Sequence, residues 1–192
     1  DRSHRDEVLE QTFQKALSLG RQPYLAPYGG SSATGALGYA FAMDEFVRQG
    51  FHADWIVFAS SSGGTQAGFV LGARLFNYKG NLLGISIDEP QSVLQSRCAK
   101  LASAASEKLG ESIPFDPSDI QVNSDYCSAG YGILTDLERN AVRQFAATEG
   151  ILLDPVYTGR AAGGMLDLIS RGFFKSSDSI LFWHTGGTTA LF

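Results

Sequence analysis

The residues best placed to do chemistry lie in one short run, Ser60-Ser61-Ser62-Gly63-Gly64-Thr65-Gln66-Ala67-Gly68. Its hydroxyls and closely spaced backbone amides precede a helix-forming stretch, and the positive end of a helix suits a phosphate dianion. No Lys-Ser/Thr pair follows at the spacing of a nucleotide-binding P-loop, and no G-x-G-x-x-G is present. A monophosphate cofactor fits better. Further glycines fall just after predicted strands: Gly29-Gly30, Gly159 and Gly186-Gly187. Any one of these reads as an ordinary strand-to-helix turn. Their repetition at the same edge of one sheet points instead to a binding site, because glycine takes positive φ and lets the backbone approach a ligand.

Other chemistries find little support. His4, His52 and His184 are scattered, with no cysteine or carboxylate at ligand spacing, so no metal site is expected. A G-x-S-x-G nucleophile elbow is missing, which removes the α/β-hydrolase reading. His184-Thr185-Gly186-Gly187 follows a predicted strand, a good place for a functional hydroxyl, while His184 itself reads as a packed, hydrogen-bonded histidine.

These residues need a scaffold, and the pattern supplies one. The periodicity predicts helices over 6–19, 35–49, 65–76, 92–109 and 161–171, with another opening at Thr135, where Thr135-x-x-Glu138 forms a capping box. Strands are expected over 23–28, 55–59, 82–87, 119–122, 152–157 and 179–184. Such alternation indicates an α/β fold with a mainly parallel, twisted sheet and helices on both faces, which binds its ligands at the carboxyl ends of the strands.

Composition bounds the function further. The 192 residues carry a formal net charge of −5, against the basic footprint that nucleic acid or an anionic membrane surface requires. No apolar run exceeds that of Trp55–Ala59 in length, far below the roughly 20 residues of a spanning helix. Cys98 and Cys127 form neither a disulfide framework nor a CxxC pair, and no leader opens the chain, so a cytoplasmic location is expected.

Four stretches together resemble one family closely. They are Pro27-Tyr-Gly-Gly-Ser-Ser-Ala-Thr-Gly-Ala-Leu-Gly-Tyr39, the Ser60–Gly68 loop, Asp154-Pro-Val-Tyr-Thr-Gly-Arg160 and His184-Thr-Gly-Gly187. In order and spacing they are similar to the D-cysteine desulfhydrase and 1-aminocyclopropane-1-carboxylate deaminase group of pyridoxal-phosphate enzymes, which share the fold type of tryptophan synthase β. The resemblance implies that Ser61, Ser62, Gly63, Gly64 and Thr65 hold the cofactor phosphate. It implies that Tyr157 faces the substrate and assists proton transfer, with Tyr131 as a second active-site tyrosine. Thr185 would bond the pyridine nitrogen, beside Thr158, a position that is acidic in the deaminase branch. A hydroxyl at both positions leans toward the desulfhydrase side.

The chain also departs from that family. Arg160 stands where lysine is common, and Leu134 and Thr189 replace prolines. The Schiff-base lysine of the family lies in an N-terminal Gly-Gly-Asn-Lys-type segment, which this chain lacks. Its own lysines, Lys15, Lys79, Lys100, Lys108 and Lys175, read as solvated surface residues. The expectation is therefore the C-terminal portion of a lyase or deaminase: residues 1–40 closing a smaller domain and crossover, and residues 41–192 forming an incomplete cofactor-binding domain. The intact enzyme would be a homodimer acting on a small amino acid, such as D-cysteine, L-cysteate or the cyclopropane amino acid, and releasing ammonia and a 2-oxo acid. The competing readings are a non-catalytic remnant and a binding protein for another phosphorylated ligand.

Overall fold

A computed structural model describes residues 4–187, and the chain divides between Gly30 and Ser31 into two compact units. The first contains α1 (Arg5–Ser18), with Asp6 and Glu7 in its first turn and Lys15 in its last, each sign matched to the helix dipole. After it, the expected strand at 23–28 does not form. The segment ends in a tight turn over Tyr28–Gly30, where the Gly30 amide donates to the Pro27 carbonyl. Pro23 and Pro27 have no N–H to give a ladder, which removes much of what a strand would need. Within this unit the Arg5 guanidinium lies 3.9 Å over the Tyr28 ring.

The second unit is a four-stranded parallel sheet ordered β3-β2-β1-β4, with β1 (Trp55–Ser60), β2 (Asn81–Ser86), β3 (Gln121–Asn123) and β4 (Ile180–Phe182). Helices α2 (Ala33–Arg48), α3 (Gly64–Leu75), α4 (Gln91–Leu109), α5 (Asp136–Glu149) and α6 (Thr158–Ser170) surround it. The expected domain division at 40/41 falls inside the continuous α2, which belongs wholly to the second unit.

Strand alternation divides the core between the two faces. Ile56, Phe58, Leu82 and Val122 face the buried side of α2, α3 and α4, among them Met43, Phe69 and Leu94. Val57, Ala59, Leu83 and Ile85 point the other way, onto Ala161, Met165 and Leu168 of α6. Central strands covered on both faces read as unbroken apolar runs, which is why β1 was plain in the sequence. Phe58 alone, fully buried, contributes about 1.5–3 kcal/mol of transfer free energy.

The expected strand at 152–157 is a turn. Pro155 cannot donate to a ladder, and the Asp154 carboxylate gathers the amides of Val156, Tyr157 and Thr158 at 2.7–2.8 Å into the start of α6. β4 is also shorter than expected. It is fixed at its start by Asp54, whose carboxylate accepts from the Ser179 amide (2.8 Å) and whose amide donates to the Ser179 carbonyl (2.9 Å).

Candidate functional site

Because every strand runs the same way, the segments leaving β1, β2, β3 and β4 emerge at one edge. The β1 segment is the serine-glycine loop. Gly63, with φ of 90°, reverses the chain and caps α3, which begins at Gly64. A residue with a side chain is strained at that φ. Ser31, just ahead of α2, closes on the loop: its hydroxyl donates to Ser62 Oγ (2.7 Å) and accepts from the Gly64 amide (3.2 Å). A Cβ on Gly64 would stand 2.7 Å from that hydroxyl.

Among the described residues, the amides of Ser62, Gly63, Thr65 and Gln66 have no protein acceptor. Four donors gathered at the positive end of a twelve-residue helix make a cradle for a doubly charged oxyanion. The Ser62 oxygen is the acceptor from Ser31, so that bond does not use the Ser62 hydroxyl proton. Ser61 is different. Its hydroxyl donates to Asp88 Oδ1 (2.7 Å) and its carbonyl accepts from Arg97 (2.8 Å), so its side chain is committed to the β2 segment. Beneath the loop, burial pushes the Cys98 thiol up to about 12, and this thiol donates weakly to the Gly63 carbonyl at 3.6 Å. It is a packing residue, not a nucleophile.

Tyr131 and Tyr157 come together. Their phenol oxygens are 2.5 Å apart and their rings meet edge to face at 5.8 Å. Tyr157 caps α6, its amide held by Asp154, while Tyr131 lies in the turn between β3 and α5. Ile87 connects this pair to the serine-glycine loop. Its amide donates to Ser60 (3.0 Å) and its carbonyl accepts from Arg160 of α6 (2.7 Å). The start of α6 therefore lies at the edge where β2 ends.

Thr185 follows β4 and is exposed. The backbone beside it reaches the same turn: a Cβ on Gly187 would lie 2.5 Å from Asp154 Oδ1. His184 is half-buried, with Nε2 3.2 Å from the Leu152 carbonyl and Nδ1 accepting from the Gly186 amide. Thr158 corrects an expectation. It is fully buried, donates to Asp154 Oδ1 (2.7 Å) and accepts from the Asp154 amide (2.9 Å), so its hydroxyl serves the turn and not a ligand. Gly159, expected in a loop, is inside α6, and Thr189 lies outside the described residues. All five lysines are exposed.

Sequence reasoning gives no role to Asp154, Ser31 or Arg97, and gives Glu138 only that of a helix cap. For Asp154 a signal existed: Asp-Pro before a helix-forming run is a turn-and-cap pattern. For Arg97, and for the ion pair of Glu138 with Arg160, the partners are distant in the chain, and nothing local marks them.

A family model described as pyridoxal-phosphate dependent enzyme matches residues 2–186. Among solved structures, the crystal structure of an ACC deaminase homologue is 36% identical with a TM-score of 0.83, over 100% of this chain and 56% of that one. A fungal L-serine ammonia-lyase from Rhizomucor miehei is 17% identical with a TM-score of 0.53, over 79% of this chain and 51% of that one, a likeness of fold alone. The chain thus spans just over half the length of these structures.

Proposed function

The chain belongs to the pyridoxal-phosphate-dependent enzymes, and from that premise we propose that it forms the phosphate and proton-transfer side of an amino-acid lyase or deaminase active site. The observation that carries this reading is the set of amides at Ser62, Gly63, Thr65 and Gln66 at the start of α3, which have no protein acceptor among the described residues. They suit the cofactor phosphate, with Gly64 and the Ser62 hydroxyl completing the cradle. When bound, pyridoxal phosphate supplies the electron sink that labilises a bond at Cα or Cβ of the amino acid.

The chain's own residues then have separable roles. The loop amides fix one end of the cofactor, and Thr185, on the segment leaving β4, offers a hydroxyl for the pyridine nitrogen. Tyr157 moves a proton to or from the substrate, and Tyr131 shares a phenol hydrogen bond with it. The Schiff-base lysine comes from outside these 192 residues. Small amino acids are the substrate class. D-Cysteine is favoured over the cyclopropane amino acid because the hydroxyl offered to the pyridine nitrogen, that of Thr185, is neutral. The reading also has the intact enzyme acting as a cytoplasmic homodimer, in keeping with the two free thiols. Among the described residues no helix is long and apolar enough to cross a membrane. The exposure of all five lysines favours, for the chain on its own, phosphate-ligand binding without turnover.

The test is to titrate the purified chain with pyridoxal phosphate and with pyridoxal, then reduce with borohydride and map the labelled peptides. The phosphate form is expected to bind at least about tenfold more tightly, a difference of ~1.4 kcal/mol. No single lysine should be labelled stoichiometrically. Equal affinities would refute the phosphate cradle. Stoichiometric labelling of one of the five lysines, with sulfide released from D-cysteine, would overturn the assignment of the lysine to another segment.

A further inference from the structure

One buried cation spends its donors on the segments around the tyrosines. Arg160 is 1% exposed. Its Nε donates to Glu138 Oε1 (2.6 Å), its Nη1 to the carbonyls of Ile87 (2.7 Å) and Gly130 (3.0 Å), and its Nη2 to the carbonyl of Ile133 (2.8 Å). Gly130 and Ile133 bracket Tyr131-Gly132. That turn has little preference of its own, since Gly130 and Gly132 both take positive φ, at 95° and 75°. From the other side, Tyr157 is held three residues ahead of Arg160 on the same helix, by the Asp154 carboxylate.

We propose that Arg160 is a positioning residue that sets the Tyr131–Tyr157 pair, clamping both ends of the glycine-flanked turn so that the two phenol oxygens meet. The functional consequence rests on the proton-transfer reading of the tyrosines; the geometry stands without it. The guanidinium is suited to this work because its donors diverge in one rigid plane. A lysine amine has three donors on a single nitrogen and cannot span the Gly130 and Ile133 carbonyls together with Glu138 and Ile87. The buried charge is tolerated because Glu138, also 1% exposed, opposes it. Glu138 is in turn fixed by the amide of Thr135 (2.8 Å) and by its hydroxyl. The cap of α5, the ion pair and the tyrosine turn are thus one buried network.

The measurement uses the chain labelled with 13Cζ-tyrosine, without cofactor, with resonances assigned from Tyr131→Phe and Tyr157→Phe. In the parent chain, Tyr131→Phe should shift the Tyr157 resonance well beyond its linewidth. In an Arg160→Lys background, which keeps the charge, that response should be lost. Glu138→Gln, which leaves the three carbonyl contacts in place, should retain it although the fold is weakened. A folded Arg160→Lys chain in which Tyr157 still responds in full would overturn the proposal, and so would loss of the response in Glu138→Gln. If Arg160→Lys does not fold, Arg160→Gln is read in the same way. Failure of both to fold, with Glu138→Gln folded, would mark Arg160 as scaffold only and overturn the positioning role. An intact response in a chain that does not bind pyridoxal phosphate would refute the functional reading and leave this one standing.

Discussion

The two halves of the candidate site are built by opposite means. The phosphate side is made of backbone: amides at the start of α3, a left-handed glycine, and Ser31 closing from α2. The tyrosine side is made of side chains held by other side chains, with Arg160, Glu138 and Asp154 tying the β3–α5 turn to α6. A backbone cradle needs few partners and tolerates exchange of neighbouring side chains. A buried polar network fails when one member is lost, because the remaining groups keep their desolvation penalty.

The sharpest way to break this comparison is Arg160→Met. It strands the Glu138 carboxylate and leaves the Ile87, Gly130 and Ile133 carbonyls without a donor, at an expected cost of about 3–5 kcal/mol. Urea denaturation reads it, and a loss below about 1 kcal/mol would show that the network relaxes onto water. Asp154→Ala should cost less, about 2 kcal/mol, since of the groups it frees only the Thr158 amide and hydroxyl are fully buried, while Val156 and Tyr157 are half-buried. On the phosphate side, Gly64→Val is expected to lower pyridoxal-phosphate affinity by at least about tenfold, more than it lowers stability. Comparable losses in both would make this loop purely structural.

Acid offers a finer probe. Burial opposes ionisation of Glu138, but hydrogen bonds from Thr135 and Arg160 outweigh it and hold its carboxyl below the usual range. A depressed carboxylate contributes stability that is fully present above its unfolded value, here 4.5, and is lost as pH falls through the folded value. Stability should therefore decline below about pH 4.5, and Glu138→Gln should flatten that decline. An unchanged slope in Glu138→Gln would assign the acid sensitivity to other carboxylates. The smallest effect is expected from Ser31→Ala, about 0.5–1.5 kcal/mol by thermal melting, because the freed Gly64 amide remains usable by a bound anion.

The same contrast explains what could be read in the sequence. The loop after β1 was legible because glycine and serine at a strand-helix junction advertise a backbone requirement locally. The covered strands β1 and β2 were legible from their apolar runs, and the Thr135 cap from its spacing. The strands expected at 23–28 and 152–157 were not there, in each case because proline and a turn outweighed apolar propensity over a few residues. Thr158 carried the right chemistry for a ligand, but Asp154 four residues earlier consumed both of its hydrogen-bonding functions. In the sequence Arg160 reads only as a cation where lysine is common. Its four partners come from three separate stretches of chain, and no local spacing announces them.

The central claim is that the start of α3 receives the phosphate of the cofactor. Its most direct test is an amide NMR titration of the 15N-labelled chain with pyridoxal phosphate. The account predicts saturable shifts centred on the amides of Ser62, Gly63, Thr65 and Gln66, reversed by excess inorganic phosphate. Shifts confined to the exposed lysines, with those four amides unmoved, would contradict it.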